Sequence, residues 1–554
     1  RLGADILRVS AMGKKAIFRT DAWETDPYIR THDFLAECIE LCHKNGILFM
    51  PYIPGAVHLP YEYVIKRHPD WLQKAYPHQP DTEYEAVQHG GTDNAMICPL
   101  GGYREFYEEM LRAVLLEHDV DGWYSDAWKD CYFKDVCYCA SCRERYLAEQ
   151  GVDIWAEGFT EQSDRVQAYS DWYVSRVIEL ARDSMQMVFR EKRLPTIING
   201  IAGVLGYQPQ GRWGEAVDAL YDVLHFERKT DPYNRLLSAS YLQTKGRKGW
   251  FYAGLYSPLQ FEGPQKAEEN FADERRFPYR EELYNEYFIA LACNQTVNLI
   301  RMNSLTIEQD SPGFEALDHI TSIIRVMKPY FESYRYLPQA AVLTLQTERH
   351  EITDRLPVRL LQSGVQTTIL KKEDLENASF LAQFPVIVCE SAETEHLSRL
   401  SRSYVRQGGT LVCCSYGPEV DPEAREEKAG VYRSGEGKAV VCRSGALCST
   451  VKEWGDFPVL VTTGDGEAVF VLTSGEKGML LHLINITRHL TELFAEGLSE
   501  IPPARNINVF MRAEEKPTIY SIRTGERFEV APCREGWRFT VPKLENYDAV
   551  LLEM

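Results

Sequence analysis

At 554 residues the chain exceeds what one hydrophobic core supports, so two to four domains are expected. Its composition, 44% hydrophobic, 26% charged and 12% aromatic, is that of a folded protein, which excludes a disordered chain. A net charge of −20 with no compensating basic stripe excludes a nucleic-acid partner, and the absence of any apolar run near about 18 residues excludes a membrane-spanning helix.

The chain opens on Arg1-Leu2-Gly3-Ala4-Asp5, which has no basic segment before an apolar run and does not read as a signal peptide. It reads as the middle of a fold, with residues expected before Arg1. Short β-like runs then alternate with helical patterns: Asp5–Ser10, Ile47–Ile53, Val120–Asp126, Thr196–Asn199, Val223–Glu227, Gly249–Gly254 and Thr296–Met302. Between them, Phe34 to His43 and Tyr103 to His118 place apolar residues at helical spacing, and Asn45-Gly46 stops the first of these helices. Strand–helix alternation implies parallel strands joined by right-handed crossovers. Seven strands are countable where a closed (β/α)8 TIM barrel needs eight, so the first strand is expected to be missing. On that count Val120–Asp126 is the fourth strand, Val223–Glu227 the sixth and Gly249–Gly254 the seventh. A doubly wound open sheet is the competing architecture, but no Gly-rich phosphate loop follows the early strands.

The pattern changes after Lys328-Pro329-Tyr330. Ala340–Gln346, Thr367–Leu370, Val386–Glu390 and Thr410–Ser415 read as strands of a smaller α/β unit, with a helix over Glu395–Gln407 and a turn at Gly408-Gly409. The charged, Gly-rich stretch from Asp421 to Gly437 reads as a solvated loop. From about Ala468 onward strands and turns alternate as in an antiparallel β-sandwich. The expected domains are therefore a barrel over 1–335, an α/β domain over 336–467 and a β-sandwich over 468–554.

Barrel enzymes draw their catalytic groups from the carboxyl ends of strands. Asp126 ends the fourth strand among large aromatics, where a carboxylate can attack an anomeric carbon; the bland alternative is a backbone-capping role. Glu227, at the end of the sixth strand, is a candidate proton donor, with an ion pair to Arg228 or Lys229 as its structural alternative. His58, Trp128, Asn199, His225 and Arg301 stand where a sugar would be contacted, and Trp128 can stack on a pyranose face. Asp21 and Trp23 are weaker candidates of the same kind. These residues call for a carbohydrate partner and no organic cofactor.

Fourteen cysteines are too few for a disulfide scaffold of this size, yet seven fall between Cys38 and Cys142. Cys137, Cys139 and Cys142 form a C-x-C-x-x-C group that needs one more thiolate for a structural zinc site, supplied by Cys98 or by its rival Cys131. Zn–S bonds of about 2.3 Å limit the spread of the four sulfurs to about 4.5 Å. A centre filled by four thiolates has no open position for substrate, so it fixes the loop behind Asp126 without catalysing. Free thiolates indicate a reducing, cytoplasmic setting, against which the sequons at Asn377 and Asn485 weigh little.

The segment from Asp126 to Leu147, with this cysteine loop and the upstream Cys98-Pro99, resembles the family 42 β-galactosidases. That resemblance implies zinc on Cys98, Cys137, Cys139 and Cys142, and a barrel followed by an amidotransferase-like trimerisation domain and a small β-domain. It also implies a homo-oligomer, with a trimer favoured. Two departures stand out. Ser125-Asp126 replaces the family's Asn-Glu, and Gly249–Pro258 lacks the family's nucleophilic Glu. A short carboxylate ending the fourth strand is similar to the α-L-fucosidases and α-galactosidases, whose nucleophile is an Asp on that strand. The implied activity is a retaining exo-glycosidase acting on fucosides or galactosides. The alternative is a sugar-binding or scaffolding barrel that has lost catalysis.

Overall fold

The computed structural model describes residues 4–11, 15–20, 23, 25, 29, 32–55, 59–74, 94–126, 136–156, 164–199, 222–226, 232–254, 279–300, 311–344, 355–391, 393–487 and 502–553. The chain divides into two compact units, Gly3–Gly203 with Tyr207–Glu227, and Arg228–Met554 with the short pieces Arg1–Leu2 and Val204–Gly206.

In the first unit, five parallel strands lie side by side in sequence order: β1 (Ile6–Ser10), β2 (Leu48–Pro54), β3 (Trp123–Asp126), β4 (Thr196–Asn199) and β5 (Val223–Phe226). Each strand adds beside its predecessor without reversal. A doubly wound sheet reverses its order about the first strand, and these five strands do not. Helix α1 (Phe34–Lys44) starts at Asp33, whose side chain accepts from the Ala36 amide, and buries Leu35, Ile39 and Cys42. Helix α2 (Tyr61–Arg67) follows β2. The helix expected over Tyr103–His118 is α-helical only as α3 (Tyr103–Leu111) and widens into a π-turn over Arg112–Leu116. Helices α4 (Ala140–Gln150) and α5 (Asp164–Glu191) lead to β4. Just before β3, a Cβ at Gly122 would lie 2.4 Å from the Met50 methyl and 3.0 Å from the Pro195 carbonyl, so a larger residue there would have to displace the Met50 side chain and crowd that carbonyl.

The second unit begins with α6 (Pro232–Thr244), the parallel pair β6 (Lys248–Gly254) and β7 (Thr296–Ile300), and helices α7 (Tyr279–Ala292) and α8 (Ser311–Ser333). A doubly wound sheet follows, containing β8 (Ala340–Leu343), β9 (Thr367–Leu370), β10 (Val386–Cys389) and β11 (Thr410–Cys413). Helices α9 (Leu356–Gln362), α10 (Thr394–Ser403) and α11 (Leu447–Trp454) accompany it. Its strand order is β9-β8-β10-β11-β14-β13-β12, where β12 (Arg425–Lys428), β13 (Val431–Ser434) and β14 (Gly437–Val441) end the sheet. The helix expected over Glu395–Gln407 breaks at Tyr404, whose hydroxyl donates to the Phe384 carbonyl at 2.8 Å, and resumes as a 3-10 turn over Val405–Gln407.

The expectation of a solvated loop over Asp421–Gly437 is overturned: β12, β13 and the start of β14 occupy it as an antiparallel extension. All four residues of β12 are exposed, because an edge strand with no covered face carries the composition of a loop. The buried Asp421 anchors the turn before it, accepting from Arg406 Nε at 3.2 Å and from the Ser401 and Ser434 hydroxyls.

The C-terminal strands form two antiparallel sheets over one apolar core that includes Phe470, Leu481, Val509, Phe539 and Val550. Two strands outside the span 468–554 join them: Val459–Thr462 pairs with Ala504–Met511, and Arg335–Tyr336 pairs with Ala468–Gly475. Asn485, a sequon residue, is buried with its amide donating to the Pro502 and Glu545 carbonyls at 2.9 and 2.7 Å, which leaves no room for a glycan. Asn377 caps a helical turn by accepting from the Phe380 amide at 3.1 Å. No described helix is long and apolar enough to cross a membrane.

Candidate metal centre and catalytic edge

Cys98 enters the site from a strand-like segment whose backbone is fixed by its own amide donating to the Trp71 carbonyl at 2.7 Å. Cys137 and Cys139 follow in extended chain, and Cys139 is the N-cap of α4, which places Cys142 in that helix's first turn. A C-x-x-C pair that straddles a helix start brings both sulfurs to one side, where the helix dipole favours negative charge. Cys98, Cys137 and Cys142 are fully buried and Cys139 is 7% exposed. The Cys98 sulfur lies 3.4 Å from that of Cys142 and 3.8 Å from that of Cys139, and all four lie within 4.8 Å of one another. Tetrahedral thiolates at about 2.3 Å from zinc stand about 3.8 Å apart, so small side-chain rotations complete a coordination shell.

The electrostatics point the same way. Burial, and then Cys139 and Cys98, push Cys137 up, while its neighbours, led by Cys137, push Cys142 up. Hydrogen bonds from Cys137, Cys142 and Cys98 pull Cys139 far down. Cys137 and Cys142 therefore resist ionising beside their neighbours unless a cation joins them. The donor set, all soft sulfur and closed to solvent, fits a structural tetrahedral ion. The shell around it is ordered: the Lys74 and Cys139 amides donate to the Cys137 sulfur at 3.3 and 3.4 Å, and the Tyr169 hydroxyl donates to the Cys137 carbonyl. Arg143, next along α4, grips Asp153 through two bonds of 2.7 and 2.6 Å and lies 3.8 Å from the Trp155 ring centre. Cys131, the rival ligand, lies outside the described residues.

Strand register brings three of the expected site residues to one edge. Asp126 pairs with Pro54 and stands one residue past Ser125, which pairs with Ile198. Asn199 follows Ile198 and pairs with His225. The backbones of Asp126, Asn199 and His225 therefore arrive level at the carboxyl ends of β3, β4 and β5. The side chains of these three residues lie outside the described residues, as do His58, Trp128, Glu227, Arg301 and Asp21. Trp23 is not a sugar platform: it is 4% exposed, its ring 4.2 Å from Tyr63 and 5.2 Å from Phe106.

Below that edge the structure adds residues that the sequence reading missed. Tyr124 is fully buried, stacked on Tyr52 at 5.3 Å, and the Arg8 guanidinium lies 4.7 Å from its ring centre. Register places this group: Tyr52 pairs with Tyr124 and with Ser10, two residues along β1 from Arg8 on the same face. From the helix side, Tyr107 of α3 is fully buried, and burial pushes its phenol well above the usual range, with Ser125 offsetting part of the rise.

At the opposite, amino ends of the strands two carboxylates serve the backbone. Asp121 accepts from the Phe49 amide at 2.7 Å and bonds His43 Nε2 at 2.8 Å. Asp222 accepts from the Thr196 amide at 2.8 Å and from Arg193 at 2.8 and 3.2 Å.

Residues 1–127 match the family model described as hypothetical glycosyl hydrolase 6. The sequence matches none of the curated proteins. Among solved structures, the α-L-fucosidase isoenzyme 2 from Paenibacillus thiaminolyticus is similar at a TM-score of 0.68 and 15% identity, over 99% of this chain and 94% of that one. A noncanonic maltogenic α-amylase from Thermotoga neapolitana aligns at a TM-score of 0.40 and 10% identity, over 100% of this chain and 91% of that one. The α-fucosidase of Thermotoga maritima aligns at 0.38 and 10%, over 100% and 76%. Only the first of these likenesses is close enough to show a shared fold. The N-terminal family match and that fold together support a glycoside hydrolase.

Proposed function

We propose that the chain is a retaining exo-glycosidase of fucosides or galactosides, with Asp126 as nucleophile and Glu227 as acid/base. The observation that carries this reading is the level arrival of Asp126, Asn199 and His225 at the carboxyl edge of β3 to β5, in a fold shared with an α-L-fucosidase. In the proposed reaction Asp126 attacks the anomeric carbon as Glu227 protonates the departing oxygen; Glu227 then takes a proton from the water that releases the sugar. His58, Trp128, Asn199, His225 and Arg301 would bind the sugar hydroxyls and ring face. The four-cysteine centre would hold zinc through Cys98, Cys137, Cys139 and Cys142, anchoring the loop that begins at Asp126; it supplies rigidity and takes no chemical step.

We read the three-part organisation, barrel over 1–335, α/β domain over 336–467 and sandwich over 468–554, as that of a homo-oligomer, with a trimer favoured. The buried thiol centre is consistent with a cytoplasmic setting. A screen of aryl α- and β-fucosides and galactosides tests the activity: release of the aryl group, with retention of configuration by NMR, is the expected result. Glu227→Gln should lose turnover on glycosides with poor leaving groups and keep it on activated aryl glycosides, which need little protonation. Equal loss on all substrates would remove Glu227 from the role. A monomeric mass by light scattering at micromolar concentration would remove the oligomer.

A further inference from the structure

The doubly wound sheet carries a second group of cysteines, arranged by strand register. β11 and β14 are parallel neighbours with Val412 opposite Val440 and Cys413 opposite Val441. The ladder continues one rung further, because the Cys442 amide donates to the Cys413 carbonyl at 2.9 Å. Cys414 and Cys442 are thus the next residues in step on adjacent strands. They also share a face: both pack on the cluster formed by Val412, Val440, Leu360 and Val451, whereas Leu411, Cys413 and Ala439 belong to the cluster on the other face. Adjacent strands run about 4.8 Å apart, inside the Cα separation of about 4.4–6.8 Å that a disulfide spans.

We infer that Cys414 and Cys442 are a redox-modifiable pair, which a low-molecular-weight disulfide converts into an intramolecular disulfide joining the carboxyl ends of β11 and β14. The pair is partly exposed, as attack by an outside reagent requires. Cys389 and Cys413 provide a contrast within the same sheet. They too are directly in register, but each is 1% exposed and out of reach of an outside reagent, so that pair stays reduced. Oxidation proceeds in two exchanges. The thiolate of one cysteine attacks glutathione disulfide, forming a mixed disulfide and releasing one glutathione. The second cysteine then displaces the other glutathione, and the two protons given up by the protein thiols end on the two glutathiones.

The test uses the full chain, incubated with millimolar glutathione disulfide and trapped with N-ethylmaleimide. Peptide mapping by mass spectrometry without reduction should find Cys414 and Cys442 in one linked pair, with Cys389 and Cys413 alkylated only after denaturation. Cys442→Ser should convert the product to a stable glutathione adduct on Cys414. A second reagent, phenylarsine oxide, bridges two adjacent thiols and should add one equivalent at this pair in the wild type and none in Cys442→Ser. The inference is overturned if Cys414 keeps its glutathione while Cys442 is free, if Cys414 links to Cys448 instead, or if neither residue reacts.

Discussion

In sequence, two strands of the first unit are bracketed by carboxylates at the same interval: Asp121 and Asp126 around β3, Asp222 and Glu227 around β5. The amino-end pair is absorbed by the fold. Phe49 and Thr196 offer amides near the start of their strands, and Asp121 and Asp222 take them up while also holding His43 and Arg193. At the carboxyl ends, Asp126 stands level with Asn199 and His225, the edge at which parallel-strand α/β enzymes hold substrate, while Glu227 lies outside the described residues. Identical chemistry at the two ends of a strand thus divides into architecture and a candidate for catalysis, and strand direction decides which is which.

The largest effect that would sharpen this contrast is Asp126→Asn. Turnover of the responsive aryl glycoside should fall by roughly 10⁴-fold or more, while thermal stability changes by less than about 0.5 kcal/mol. Near-normal turnover would break the contrast at its most informative point. Next is the metal centre: Cys142→Ser, or stripping with a strong chelator, should release about one zinc per chain by metal analysis. It should also lower stability by about 4 kcal/mol or more, read as a fall in melting temperature. A protein purified without chelator that contains no metal would remove the ion from the account.

At the amino ends the expected order reverses, with stability lost and turnover retained. Asp222→Ala should destabilise by about 2 kcal/mol, since it strips a charged acceptor from the Thr196 amide and from Arg193 at a half-exposed position. Asp121→Ala should cost about 1–2 kcal/mol by freeing the Phe49 amide and His43. A loss of turnover in either variant beyond its loss of folded protein would mean that the base of the strands also serves catalysis.

The smallest expected effect is a pH dependence. Burial pushes Asp222 up, but the Arg193 guanidinium and the Thr196 amide and hydroxyl outweigh it and hold the carboxyl below the usual range. A folded-state value below the unfolded one gives stability that is present above about pH 4 and lost as pH falls through the folded value. The melting difference between wild type and Asp222→Asn should therefore narrow below about pH 4. A difference that stays constant down to pH 3 would deny Asp222 its charged role.

Much of this was legible in the sequence. Apolar runs of four to seven residues announced β1 to β7, and the tight spacing of Cys137, Cys139 and Cys142 announced a thiol centre, because three soft ligands in one loop rarely serve a core. Three other features were hidden for physical reasons. β12 has no buried face and so no hydrophobic signal, which made Asp421–Gly437 read as a loop. Trp23 is aromatic and follows a strand, but its neighbours Tyr63 and Phe106 come from helices that only the folded chain brings to it. Arg8, Tyr52 and Tyr124 meet through pairing between strands far apart in sequence, where no local pattern records the register.

By itself the sequence determined the periodicities, the strand–helix alternation and which cysteines and carboxylates stand as candidates, since these depend on local spacing and side-chain chemistry. Tertiary structure decided that Cys98 joins the three later cysteines, that Asp121 and Asp222 are bound to backbone amides, and that Cys414 and Cys442 fall on one face while Cys389 and Cys413 fall on the other. Those outcomes rest on register and on closure between distant segments. A one-residue shift would exchange the faces and reassign the partners, and that choice is made by the packing of the whole sheet.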